Sequence, residues 1–147
     1  MIFPGNNFFD LATWLCGSGS GSGGQRTDEA AIRTAIGRTY YAAYLLAREA
    51  LVNKRWTPNG SGLDHKAVPD ELKLRGEIQL SGDLRKLHRL RMHADYHLQN
   101  NSGYSKTTCQ YCKKHKVSGS TGAVVTIDHW LEAVTLANTL IPALQKY

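Results

Sequence analysis

Leu84 to Leu98 holds an arginine where a leucine would be expected. Read as a helix, Leu80, Leu84, Leu87, Ala94 and Leu98 recur at three- and four-residue spacing and form one apolar stripe. Arg91 falls inside that stripe, four after Leu87 and three before Ala94. Arginine keeps its charge at any ordinary pH and is costly to bury unpaired. It must be paired, held in an interface cleft, or bound to an anion. Asp95 lies one turn on, in reach of an i,i+4 pair. His88, His93 and His97 crowd the same segment. Arginine clamps an oxyanion and histidine moves protons near neutral pH, so the cluster suits chemistry on phosphate.

A second group of reactive side chains follows. Cys109, Cys112 and His115 stand in C-x2-C-x2-H spacing, which supplies three ligands suited to zinc. A fourth ligand is missing locally, with Cys16, His65, His97 or His129 as candidates. Lys106, Lys113, Lys114 and Lys116 surround the motif and favour thiolates. The segment reads as a structural zinc site or as a redox-active or fortuitous pair. With Tyr104 and Tyr111 it could equally meet RNA by charge and stacking.

The elements that must position these groups are helical. Phe8 to Leu15 places Phe8, Leu11, Ala12 and Leu15 on one face. Residues 17–24, GSGSGSGG, form a flexible loop, either an engineered linker or natural low complexity. Thr27 or Asp28 caps a long alanine-rich helix that ends near Asn53. Its stripe is Ile32, Ile36, Tyr40, Ala43 and Ala47, with Tyr41, Tyr44 and Arg48 on a neighbouring face. The tyrosines read as packing in a core or interface. Arg38 on this helix is a candidate phosphate contact. A short helix is expected over Asp64–Leu74, limited by Pro69 and Gly76. The Arg91 helix is expected from Ser81 to Leu98. Residues 100–122 read as a long polar insert. Thr126 caps a final helix with Ile127, Trp130, Leu131, Val134, Ala137, Ile141 and Leu144 inward, kinked near Pro142. No strand pattern of substance appears. The fold class is therefore all-α: one domain over 1–147, an up-and-down bundle of about four main helices.

Composition agrees. Charged residues are 20% and hydrophobic residues 41% of the 147, as in ordinary globular proteins. No apolar run is long enough to span a bilayer. The first residues lack a signal-peptide pattern, so a cytoplasmic protein is expected. Three cysteines then argue against a disulfide framework. The net charge of +6 favours anionic partners such as nucleic acid.

Three segments together resemble a known family. They are Arg33-Thr34-Ala35-Ile36-Gly37-Arg38-Thr39-Tyr40-Tyr41-Ala42-Ala43-Tyr44, then His65-Lys66-Ala67-Val68, then Leu87-His88-Arg89-Leu90-Arg91-Met92-His93-Ala94-Asp95-Tyr96. Their order and spacing resemble the double-tyrosine subgroup of the HEPN domain over roughly 8–144. That resemblance implies a helical bundle that dimerises. It implies a metal-independent RNase of toxin–antitoxin or antiviral-defence type. The alternative is a noncatalytic interaction or RNA-binding module. Implied partners are RNA, a second copy of the chain, and a nucleotidyltransferase-type antitoxin or a defence-complex protein. No cofactor is implied for catalysis. The family signature is an arginine, four to six residues, then a histidine. Here Arg91 and His97 fit it as catalytic residues, with five between them. In the commonest form four intervene, and that position is Tyr96. On a straight helix, position i+6 lies about 120° round from Arg91. A dimer brings the two groups together across its axis, since an isologous interface repeats one patch twice. Arg38, Asp95, Tyr96 and His93 are the supporting residues, for phosphate or for the interface.

Overall fold

In a computed structural model the residues described are 5–16, 29–60, 62–96 and 125–147. They form α1 (Gly5–Cys16), α2 (Glu29–Asn53), α3 (Asp64–Leu74), α4 (Ile78–Tyr96) and α5 (Ile127–Lys146). No strand occurs among them. The chain is an all-α helical bundle, as its periodicity predicts.

The 25-residue α2 is the hub, because α1, α3, α4 and α5 all pack on it. Alanines give it high intrinsic helix propensity, and Glu29 in its first turn suits the positive end of the helix dipole. Its small residues matter more for packing. Ala35, Ala42, Ala43 and Ala47 are fully buried, so neighbouring helices approach its backbone closely. Ile32, Ile36 and Tyr40 complete the inward stripe.

Both ends that frame α3 are closed alike. At the end of α2, Trp56 N–H donates to Leu51 O at 2.9 Å and Arg55 N–H to Val52 O at 2.9 Å. At the end of α3, Glu77 N–H donates to Leu72 O at 2.9 Å and Gly76 N–H to Lys73 O at 3.1 Å. This paired pattern requires a left-handed residue after the helix. Gly76 takes it at φ 89°, which costs glycine little. Arg55 takes the same role at φ 67°, where a side chain is strained.

α3 keeps the expected bounds and continues through Pro69. The Pro69 carbonyl accepts a hydrogen bond from Ser81 Oγ at 2.7 Å, which ties α3 to α4. α4 starts at Ile78, three residues before the expected Ser81. Gly76 ends one helix so tightly that the next begins at once. Its expected end at Leu98 lies outside the described residues.

Two expected inward residues point out. Leu11 is 42% exposed and Leu131 is 54% exposed. Ala12 and Cys16 are buried in α1, and Trp130, Ala133, Ala137, Leu140, Ile141 and Leu144 in α5. In α1 the inward positions nearest the core are the small Ala12 and Cys16, while α5 buries large and small residues alike. α5 passes through Pro142 and reaches Lys146. At that end Lys54 Nζ sits 3.6 Å from the Tyr147 ring centroid, joining the ends of α2 and α5. The Gly/Ser loop 17–24 and the insert 100–122 lie outside the described residues.

Candidate functional site

Arg91 is held at the junction of α2 and α4, with its side chain only 13% exposed. The expected i,i+4 pair is present: Nε lies 2.6 Å from Asp95 Oδ2. The other guanidinium nitrogens reach outward. Nη2 donates to Tyr96 OH at 3.2 Å and Tyr41 OH at 3.4 Å. The guanidinium carbon stands over both rings, 5.1 Å from the Tyr96 centroid and 5.5 Å from that of Tyr41. An arginine stacked between two tyrosines keeps its charge while losing much of its water.

Beside it α2 contributes Thr34, Gly37, Arg38 and Tyr41, which recur at three- and four-residue spacing on one face. With Asp95 they line a cleft of about 220 Å³. Arg38 is anchored by its guanidinium over the Phe8 ring of α1, 5.6 Å from the centroid. Tyr41 also meets Phe8, at 6.4 Å between centroids. Burial raises Asp95 above the ordinary carboxylate range, and Arg91, Arg33 and Arg38 oppose that rise.

Arg33 fixes the far end of the same junction. It pairs with Glu29 at 2.6 Å and donates to the carbonyl of Ala94 in the last described turn of α4. A cation there also complements the negative end of the helix dipole.

Behind Arg91 lies a group of rings that the sequence only partly reveals. Tyr40 OH and His65 Nδ1 are 2.7 Å apart. Burial keeps the Tyr40 phenol protonated, with its pKa far above the ordinary tyrosine value. It therefore donates, and His65 Nδ1 accepts. The His65 and His88 rings stack at 5.9 Å and 17°. His88 lies one turn before Arg91 on α4, and 5.2 Å from the Tyr40 ring. Burial, then His65, Arg91, Arg89 and Arg85, push the His88 pKa down to about 4. Burial and Arg91 also lower that of His65, against the opposite pull of Asp64. Both imidazoles are thus neutral bases near neutral pH. His88 could have been placed from sequence, three residues before Arg91. The sequence offers His65 only through the resembling His65-Lys66-Ala67-Val68 segment and as a zinc-ligand candidate; no spacing predicts its pairing with Tyr40, 25 positions away.

The loop before α3 explains how His65 gets there. The Asp64 carboxylate is buried and accepts the backbone N–H groups of Asn59 at 2.9 Å and Gly60 at 3.2 Å. Arg48 Nε lies 3.7 Å away. This folds the Asn59-Gly60 turn onto the first residue of α3 and sets the next residue, His65, against the tyrosines.

Of the sequence-derived residues, the structure brings Arg91, Asp95, Tyr96 and Arg38 to one place. His93 is elsewhere: it is 1% exposed and its ring lies 5.2 Å from that of His129 on α5. His129 in turn accepts the Thr126 N–H through Nδ1 at 3.0 Å, closing the start of α5. His97, Cys109, Cys112 and His115 lie outside the described residues. The described candidates for a fourth zinc ligand are scattered among roles: Cys16 in the core, His65 on Tyr40, His129 at the α5 cap. Among the described residues no group of three or more His, Cys, Asp or Glu is placed to hold a metal. No helix among them is long and apolar enough to cross a membrane.

The lowered His88 and His65 values set a pH dependence. A histidine whose folded pKa lies below its unfolded value of about 6.5 binds more protons when unfolded. Its contribution is complete above that value and is lost as pH falls toward the folded pKa. Stability is expected to drop between about pH 6.5 and pH 4, the window set by His88. Discounted for its partial exposure to solvent, the loss is on the order of 1–2 kcal/mol. Urea denaturation across that range should show the slope, and His88→Gln should flatten it.

Comparison with family models, curated proteins and solved structures finds no match to this chain.

Proposed function

We propose that this chain is a metal-independent ribonuclease of toxin or antiviral-defence type, built like the HEPN proteins its motifs resemble. The observation that carries the reading is Arg91: a largely buried guanidinium standing over the Tyr41 and Tyr96 rings beside a cleft, on a protein of net charge +6. In this mechanism His97 takes the proton from a ribose 2′-OH. The O2′ forms a bond to the adjacent phosphorus as the P–O5′ bond breaks. The leaving O5′ regains a proton from the imidazolium. Arg91 stabilises the charge that develops on the phosphoryl oxygens. Two copies of the chain supply the groups across a shared cleft. The Cys109, Cys112 and His115 segment takes no part in this step and is a structural zinc site in this reading.

The test is cleavage of RNA by purified protein freed of partners. Activity should persist in EDTA and leave a 2′,3′-cyclic phosphate and a 5′-OH. Light scattering should give a dimer or larger at micromolar concentration. A monomer that cleaves would remove the shared cleft.

The Arg91–Asp95 ion pair favours a second reading. A guanidinium already neutralised at 2.6 Å, with Tyr96 at the commonest histidine position, suits a noncatalytic HEPN module. Such a module works inside a toxin–antitoxin or defence complex, with a nucleotidyltransferase-type antitoxin or a defence protein as partner. Binding of RNA without cleavage would select it.

A further inference from the structure

The cleft beside Arg91 contains a carboxylate, and a phosphate-binding site has little use for one. Asp95 Oδ2 is paired with Arg91, and both carboxylate oxygens lie toward Gly37 of α2, Oδ1 the nearer. A Cβ built on Gly37 would sit in ordinary van der Waals contact with the carboxylate, 3.4 Å from Oδ1 and 3.9 Å from Oδ2, so the bare glycine leaves one methyl's width of room beside it. Two exclusions follow from the charges. The carboxylate repels a phosphate from this spot. Arg91, Arg33 and Arg38, all within electrostatic reach of Asp95, repel a cationic side chain or amine. What fits is a neutral edge bearing N–H donors, attached to an anionic chain. The volume of about 220 Å³ is below the roughly 300–1,000 Å³ of clefts that enclose drug-sized ligands, so it admits one planar group.

We propose that this cleft is a base-recognition subsite that prefers guanine, with Asp95 accepting from its Watson–Crick edge. This rests on the ribonuclease reading for its choice of RNA as ligand. Unstacked bases of single-stranded RNA present that edge to proteins. Guanine alone offers two adjacent donors there, N1–H and the N2 amino group, to match the two oxygens of a carboxylate. Adenine and cytosine offer a single amino group and uracil a single N–H. Oδ2 has lone pairs beyond the one facing Arg91, so both oxygens are usable. The ion pair with Arg91 then has a positive role: it fixes the carboxylate plane. Arg38, anchored over Phe8, is placed for the neighbouring phosphate, and Tyr41 forms the apolar wall.

The test uses 2′-O-methyl oligonucleotides, which bind without being cleaved, and reads binding by fluorescence anisotropy. A uridine tract carrying one guanosine should bind about ten-fold more tightly than the same tract carrying adenosine, the order expected of a good bidentate base contact. Inosine keeps N1–H and lacks the amino group, and should lose several-fold. Asp95→Asn should abolish the preference. Gly37→Ala should lower it to within two-fold, while the melting temperature stays equal or rises, since alanine is the better helix former. Equal binding of all tracts by the wild type, no binding of any, or a preference that survives Asp95→Asn would each overturn the subsite. All-ribose versions are assayed for cleavage in parallel. Cleavage without base preference removes the subsite and leaves the ribonuclease reading. Preference without cleavage does the reverse.

Discussion

On the ribonuclease reading, replacing Arg91 with alanine is expected to lower RNA cleavage by about 10²- to 10³-fold, the usual loss of one oxyanion-stabilising donor. The fold should survive. Asp95 would lose its ion pair, but its side chain is 30% exposed, and water there limits the cost to about 1 kcal/mol. Arg91→Lys should fall between, because an ammonium keeps the charge and loses the planar fork that spans Tyr41, Tyr96 and Asp95. His97→Ala should cost 10²- to 10⁴-fold through lost proton transfer. His93→Ala is the control with the opposite signature. It lies buried against α5, so its removal should lower the melting temperature and spare the rate per folded molecule. Single-turnover cleavage and thermal melts on the same preparations separate the two effects. Full activity in His97→Ala would transfer the proton to another histidine; His88, one turn before Arg91, would be the first to mutate.

Tyr40→Ala should be the most damaging single change to stability. Tyr40 is fully buried and touches Tyr41, Tyr44, His65 and His88. Truncating a large aromatic side chain in a core costs about 3–5 kcal/mol, from lost transfer energy and the cavity left behind. That is a large part of the 5–15 kcal/mol total typical of such domains. Tyr40→Phe isolates the hydroxyl. It leaves His65 Nδ1 without its donor and should cost about 1 kcal/mol, with the ring packing intact. Urea unfolding of the two variants measures both. A Tyr40→Ala protein as stable as the wild type would mean that the ring cluster is not part of the core.

The sequence carried the local half of this arrangement. The Arg91–Asp95 pair follows from a spacing of four on one helix. The end of α2 at Asn53 and both ends of α3 follow from helix periodicity and from the Gly and Pro residues nearby. The start of α4 was hidden because Gly76 ends α3 so tightly that the next helix begins at Ile78, whose 68% exposure keeps it out of the apolar stripe. Leu11 and Leu131 misled because periodicity ranks large apolar residues as inward. Their neighbours Ala12, Trp130 and Ala133 occupy the buried positions instead. His65 needed the Asp64 turn, which no spacing rule reveals.

The position of Phe8 has a consequence for access. α1 packs chiefly on α2, and its outer face carries Trp14, 73% exposed. An element held by one neighbour opens at lower free energy than a hub held by four. Amide hydrogen exchange would then be faster in α1 than in α2. Each opening of α1 would lift Phe8 from Arg38 and Tyr41 together, taking the support from one cleft wall. The breathing of α1 would act as the gatekeeper of the cleft, with a frequency set by how well its twelve residues hold to α2.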